Sequence, residues 1–300
     1  MPMPEAKPDA GKVDLSGEIP VSGGEPGDTL GPIAPSRLPC IDAHIHVDLY
    51  PEEEQDALLR QAFEHGVEAV IAVSMDLASS VRTRELALRY LGRVHPAYGF
   101  HPEQEPPSEG EREELFDWIR ERHRAGEAFA IGEVGLPYYK RTEVEAGGGS
   151  FDETPYLTLL ESFVALAAEL DRPIVLHAVY EDADKACELL AIHGVKKAHF
   201  HWFKGSTRTL DRMAEAGYSI SVTPDIAYEH EIVEVVKRYP LRLIMAETDG
   251  PWPFDGPYKG QPTVPAMARE SAIGIASVKG LDVSETAETL LRQTRTFYNL

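Results

Sequence analysis

The sequence predicts a TIM-like (β/α)8 barrel, an α/β fold with a parallel sheet, on three observations. Short β-branched runs alternate with amphipathic helical stretches along the chain. Strands separated by helices pair in parallel through right-handed crossovers. Eight such units close into a barrel more readily than they form an open sheet, and 300 residues is a normal length for one. Finally, His, Glu and Asp residues recur at the C-terminal ends of the predicted strands, which a barrel gathers at one mouth.

Residues 1–38 are about one third Pro and Gly and show no apolar period, so they read as a disordered or extended leader. The barrel is expected over 39–300. Its strands fall at 40–47, 67–74, 94–100, 129–134, 173–178, 197–202, 218–223 and 242–247, each a short run rich in Val, Ile, Ala or aromatic residues. Helical patterns follow at 52–65, 78–91, 110–125, 154–170, 181–193, 206–216, 229–239 and 263–279, with a last helix over 284–298. The polar segment 137–153, with its Gly147-Gly148-Gly149 run, reads as a long mobile loop after strand four. Residues 250–262, rich in Pro and Gly, read as a loop after strand eight.

Composition narrows the partners. No run approaches the 18 or so apolar residues of a membrane helix, and the N-terminal stretch lacks the apolar region of a secretory signal. Cys40 and Cys187 form no CxxC motif, and two cysteines are too few for a disulfide framework. A cytoplasmic monomer or small homo-oligomer is the expectation. The formal net charge of −21, from 50 acidic and 29 basic residues, leaves no global basic footprint for nucleic acid. A phosphate ester remains accessible if bound cations supply local positive charge.

The chemistry begins at His44 and His46 in the first strand. Alternate strand side chains share a face, so the two imidazoles project together and can grip one divalent ion. Later strand ends add His101, Glu133, His177, His199, His201, Glu247 and Asp249. Imidazole plus carboxylate without thiolate suits Zn, Mn or related divalent ions. The set exceeds what one tetrahedral ion needs, which implies two. His199 and His201 share a parity, so spacing alone does not choose between them. Glu247 has the parity of Asp249 and is expected to position a neighbour. Asp42 lies one layer deeper than His44 and is expected to hold it by a hydrogen bond. His65, His95, His123, His193 and His230 fall in helical or connecting segments and read as solvated or structural.

The ordered series Asp42-x-His44-x-His46, Gly99-Phe100-His101-Pro102, Gly132-Glu133-x-Gly135-Leu136, Pro173-Ile174-Val175-Leu176-His177, His201-x-Phe203-x-Gly205 and Glu247-Thr248-Asp249-x-Pro251 resembles the TatD family of metal-dependent hydrolases, within the amidohydrolase-type barrels. The resemblance covers residues 40–300. It implies that His44, His46 and Asp249 bind a first ion, that Glu133 bridges, and that His177 and His201 hold a second. It selects His201 over His199. It also implies that Asp249 takes a proton from the nucleophilic water, and that His101 contacts a substrate oxygen.

Three departures bear on substrate. Pro137 stands where relatives often carry an acidic residue in a Gly-Leu-Asp-Tyr-Tyr pattern. Residues 252–262 hold one Lys and several aromatics where relatives tend to be basic. Gln293 replaces a common Asn, a change expected to be structural. Tyr138 and Phe203, with Tyr139, Trp202, Trp252 and Phe254, either stack on nucleic-acid bases or pack over the barrel mouth. The resemblance implies a phosphodiesterase acting on DNA, a deoxyribonuclease. The thinned basic loop keeps open a hydrolase of small amides or esters at the same centre. A non-catalytic metal-binding scaffold is the reading from another class.

Overall fold

The computed structural model describes residues 38–300; the predicted leader, apart from Leu38, lies outside the described residues. The eight strands are β1 (Cys40–Ile45), β2 (Val67–Ala72), β3 (Val94–Tyr98), β4 (Ala130–Gly135), β5 (Ile174–His177), β6 (Ala198–Phe200), β7 (Ser219–Val222) and β8 (Ile244–Ala246). Their spatial order is their chain order, and every neighbouring pair from β1–β2 to β7–β8 is parallel. This is the predicted (β/α)8 barrel. Residues just beyond the strands close the seam between β8 and β1. The Asp249 N–H donates to the His44 carbonyl at 2.9 Å, and the His46 N–H donates to the Gly250 carbonyl at 2.8 Å.

Ten helices surround the sheet among the described residues: α1 (Glu52–Glu64), α2 (Leu77–Arg89), α3 (Glu109–Arg124), α4 (Tyr138–Ala146), α5 (Thr154–Leu170), α6 (Glu181–His193), α7 (Thr207–Ala216), α8 (His230–Arg238), α9 (Ala268–Lys279) and α10 (Val283–Tyr298). Several starts are written in the sequence as caps. Asp76 accepts from the Ser79 N–H at α2, Ser206 from the Thr209 N–H at α7, and Ser108 with Glu111 forms a reciprocal capping box at α3. The apolar face of α5, including Leu160, Phe163, Val164 and Ala167, is buried in the main core cluster with Leu176 of β5 and Phe200 of β6.

Inside the barrel the residues are smaller. Ile41, Ala69 and Ile71 form one cluster, Val73, Ala97, Ala130 and Val175 a second, and Ala43, Met245 and Phe297 a third. Tyr298, at the end of α10, packs against all three. The C-terminal helix therefore contributes to the barrel interior as well as to the outer ring.

Three expectations need correction. Segment 137–153 contains α4 rather than one long loop. Its Lys, Arg, Glu and Ala residues are good helix formers, and tertiary ion pairs hold it. The Arg141 guanidinium lies 2.9 Å from both Glu181 and Asp182, and the Lys140 ammonium lies 2.7 Å from Glu105. Second, the predicted strands overrun their ends: β1 stops at Ile45, β6 at Phe200 and β8 at Ala246, so His46, His201 and Glu247 stand just past the strands. Third, α9 begins at Ala268, after a 3-10 turn over Pro265–Met267.

Candidate metal centre

The strand ends bring His44, His46, Glu133, His177, His201 and Asp249 into one buried cluster. None of these residues exceeds 7% exposure, and His44 and Glu133 are fully buried. The Glu133 carboxylate lies at the centre and is divided between two groups. Its Oε2 is 3.1 Å from Nε2 of both His44 and His46. Its Oε1 is 2.7 Å from His201 Nε2 and 2.9 Å from His177 Nδ1. Asp249 Oδ1 completes the first group, 3.3 Å from His44 Nε2 and 3.5 Å from His46 Nε2.

Two glycines allow this convergence. A Cβ on Gly135 would lie 1.9 Å from the His177 carbonyl oxygen, and one on Gly99 would lie 2.6 Å from the Gly132 carbonyl carbon. Strands β3, β4 and β5 therefore approach beside Glu133 more closely than any side chain would permit. Asp249 adopts a left-handed backbone with φ of 51°. That conformation is uncommon outside Gly, though Asp and Asn are enriched in it. Here it accompanies the two seam hydrogen bonds.

The donor chemistry fits divalent ions. Both ring nitrogens of His44 and of His46, Oε2 of Glu133 and Oδ1 of Asp249 are buried without a hydrogen-bond partner. Buried polar atoms are ordinarily satisfied, so a cluster of such orphans points to a ligand. The ligand atoms of His44, His46 and Asp249 lie within 4.8 Å of one another, as do those of Glu133, His177 and His201. Burial alone would neutralise Glu133, but the imidazoles of His201, His101 and His44 outweigh it and hold the carboxyl well below its usual range. Burial opposes charge on His177 too, yet Glu103 and Glu133 raise it to about 10. His201, dominated by burial, falls to about 4.

The structure distinguishes His199 of β6 from His201 just beyond it. His201 reaches Glu133, whereas His199 is engaged elsewhere, with Nε2 2.6 Å from the Ser221 hydroxyl and Nδ1 2.7 Å from the Tyr298 hydroxyl. Glu247 accepts the Trp202 N–H at 2.7 Å and a short hydrogen bond from Ser221. Its burial and the nearby Asp249 raise its carboxyl well above the usual range. Asp42 accepts from the His44 N–H at 3.3 Å and from the Thr248 N–H and hydroxyl at 3.0 and 2.5 Å. Burial pushes Asp42 up to about 7. Asp42 thus links β1 to the segment after β8, and Glu247 links β7 to the segment after β6.

His101 lies 3.5 Å from Glu133 through Nε2, and its Nδ1 accepts the Glu103 N–H at 3.3 Å. That bond assigns the proton to Nε2, the nitrogen facing the site. Burial keeps the ring neutral. The Tyr138 ring lies 4.7 Å from that of Tyr180, and the Tyr139 ring lies 6.0 Å from that of His177. Phe203, at 1% exposure, packs in the main core cluster against Phe200. Its position in the motif is explained by packing, because Gly205 lies directly against the ring.

Sequence reasoning missed Glu103. Its carboxylate is 3.2 Å from His177 Nε2 and accepts the Tyr139 and Lys140 N–H groups at 3.0 and 2.8 Å. These partners are 36 to 74 residues away, so no local pattern reports them.

Comparison with known proteins agrees with this geometry. Residues 41–299 match the family model for TatD related DNase. An uncharacterized metal-dependent hydrolase of Haemophilus influenzae is 35% identical over 260 residues, 86% of this chain and 99% of that protein. Human deoxyribonuclease TATDN3 is 32% identical over 255 residues, 83% of this chain and 90% of its own length. Among solved structures, the Escherichia coli TatD homologue YjjV superposes with a TM-score of 0.73 at 28% identity, covering 87% of this chain and 98% of that one. With the barrel, the ligand series and this match in agreement, the chain belongs to the TatD family of metal-dependent hydrolases.

Proposed function

We propose that the chain hydrolyses phosphodiester bonds, with DNA as the substrate, at a centre of two divalent ions drawn from Zn, Mn or Mg. The observation that carries this reading is the division of one buried carboxylate between two ligand groups, His44–His46–Asp249 and His177–His201. The deoxyribonuclease name of the human relative supports the choice of DNA.

Bound ions supply Lewis acidity toward non-bridging oxygens and lower the pKa of a water toward neutrality. Glu133 keeps the two ligand groups in register and remains ionised through its imidazole neighbours. Asp249, with Oδ1 unpaired and its backbone tied to His44, takes the proton released by the attacking water. His101 donates its Nε2–H to a substrate oxygen. A cytoplasmic location belongs to the same proposal, supported by Cys40 and Cys187 being buried and unpaired.

A second reading, hydrolysis of a small ester or amide, is favoured by one observation. The cations of α4 are already neutralised, Lys140 by Glu105 and Arg141 by Glu181 and Asp182. Chelation, reloading with Mg²⁺, Mn²⁺ or Zn²⁺, and assay on a generic phosphodiester, single-stranded DNA and carboxylic-ester and amide panels separate the two. Phosphodiester and DNA turnover restored by an ion is the expected result. Turnover of esters or amides alone would replace the first reading with the second.

A further inference from the structure

Glu103 makes contacts that neither a surface residue nor a simple helix cap requires. Helix α4 begins at Tyr138 behind Pro137, which offers no side-chain cap. The first N–H groups of a helix need acceptors, and here Glu103 supplies them from another loop, to Tyr139 and Lys140. The same carboxylate faces His177 Nε2 at 3.2 Å, while His177 Nδ1 faces Glu133 at 2.9 Å and His201 Nε2 at 3.1 Å. An imidazole donates from one nitrogen and presents a lone pair on the other. In the neutral ring, with Nε2 donating to Glu103, the Nδ1 lone pair faces the point shared with His201.

We propose that Glu103 is a positioning residue that couples helix α4 to ion binding. By accepting from His177 it fixes the tautomer and the ring orientation of a ligand. By accepting from Tyr139 and Lys140 it holds the helix that places the Tyr139 ring beside His177. Loss of Glu103 weakens the ion held by His177 and His201 and loosens the start of α4 together. This rests on His177 being a ligand and is independent of the substrate.

The test uses the full chain, Mn²⁺ titration by calorimetry, and amide hydrogen exchange with and without Mn²⁺. Glu103→Ala is expected to weaken the second Mn²⁺ by about 10- to 100-fold and to speed exchange at residues 138–141. Mn²⁺ protects that segment in the parent chain and not in the variant. Adding Pro137→Asp to Glu103→Ala supplies a local cap, so protection of α4 returns while Mn²⁺ affinity stays weak. Recovery of affinity along with the helix would show that Glu103 acts on the helix alone and overturn the proposal. Unchanged affinity in Glu103→Ala, with His177→Ala weakened, would overturn it and leave the ligand assignment intact. An unaffected His177→Ala would remove the ligand assignment itself. If Glu103→Ala does not fold, Glu103→Gln carries the same test. In the parent chain Oε1 serves both His177 and the Tyr139 N–H while Oε2 accepts from Lys140, so the glutamine NH2 group must face an α4 N–H in either orientation. Exchange at the start of α4 rises, and no change in either readout would overturn the proposal.

Discussion

His177 and His201 reach the same oxygen of Glu133 through different ring nitrogens, Nδ1 from His177 and Nε2 from His201, with those nitrogens 3.1 Å apart. Two lone pairs so close are unfavourable unless a proton or a cation lies between them. The pair is therefore expected to account for one of two bound ions. In metal-content measurements after reloading, His177→Ala and His201→Ala each lower the stoichiometry from about two ions to about one, the occupancy set by the two ligand groups around Glu133. Asp249→Ala removes the other. In the parent chain, an ion at about 100 times its dissociation constant stabilises the fold by roughly 2.7 kcal/mol, seen as a raised melting temperature that chelator reverses. Unchanged stoichiometry in all three variants would sink the ligand set.

The glycine at 135 gives a sharper structural prediction. A methyl group there meets the His177 carbonyl oxygen at 1.9 Å, and that atom is strand backbone, which cannot swing aside as the end of a flexible side chain could. Gly135→Ala is expected to destabilise the chain by more than about 3 kcal/mol or to prevent its folding. Gly110, in α3, has nothing within 4 Å of its would-be Cβ. Gly110→Ala should stabilise by up to about 1 kcal/mol through helix propensity. Urea unfolding of both variants measures the contrast, and equal effects would contradict the packing argument.

Much of this was legible in the sequence because the decisive signals are local. Apolar runs of strand length, separated by helical patterns, specify the barrel. Ligand-type residues clustered at strand ends specify the mouth. The packing of Phe203 against Phe200 was not legible, because an aromatic beside a ligand motif looks the same whether it faces inward or outward. The pairing of Glu103 with His177 and the capping of α4 arise only when distant loops meet. His199 and His201 share parity, and depth along the barrel, which periodicity does not encode, separates them.

Helix α4 was read as a loop for a related reason: its stability comes from ion pairs made to other elements. Arg141 is 12% exposed at the side chain and pairs with Asp182, which is fully buried and keeps one oxygen unpartnered. Arg141→Ala leaves Asp182 with Lys185 at 3.0 Å. The expected loss is about 1–3 kcal/mol, with faster amide exchange over 138–146. If exchange there is unchanged, the anchoring role assigned to Arg141 is wrong.

Asp225 gives a pH dependence away from the ligand cluster. It is buried, accepts the Trp202 indole N–H at 2.6 Å and a short hydrogen bond from Thr223, and faces Lys204 and Glu229. Burial raises its carboxyl from 3.8 to about 6, the hydrogen bonds and Lys204 opposing the shift. Because the folded value lies above the unfolded one, the group's stabilisation is complete below about pH 4 and is lost as pH rises through about 6. The loss is at most about 3 kcal/mol. Asp225→Asn cannot titrate, so its stability relative to the parent should improve between pH 4 and 7, whatever the offset from its altered hydrogen bonds. Urea unfolding at several pH values, with chelator present throughout to remove linkage to ions, gives the difference directly. A difference that stays flat across that interval would mean that Asp225 is ionised throughout, held so by Lys204 and its hydrogen-bond donors.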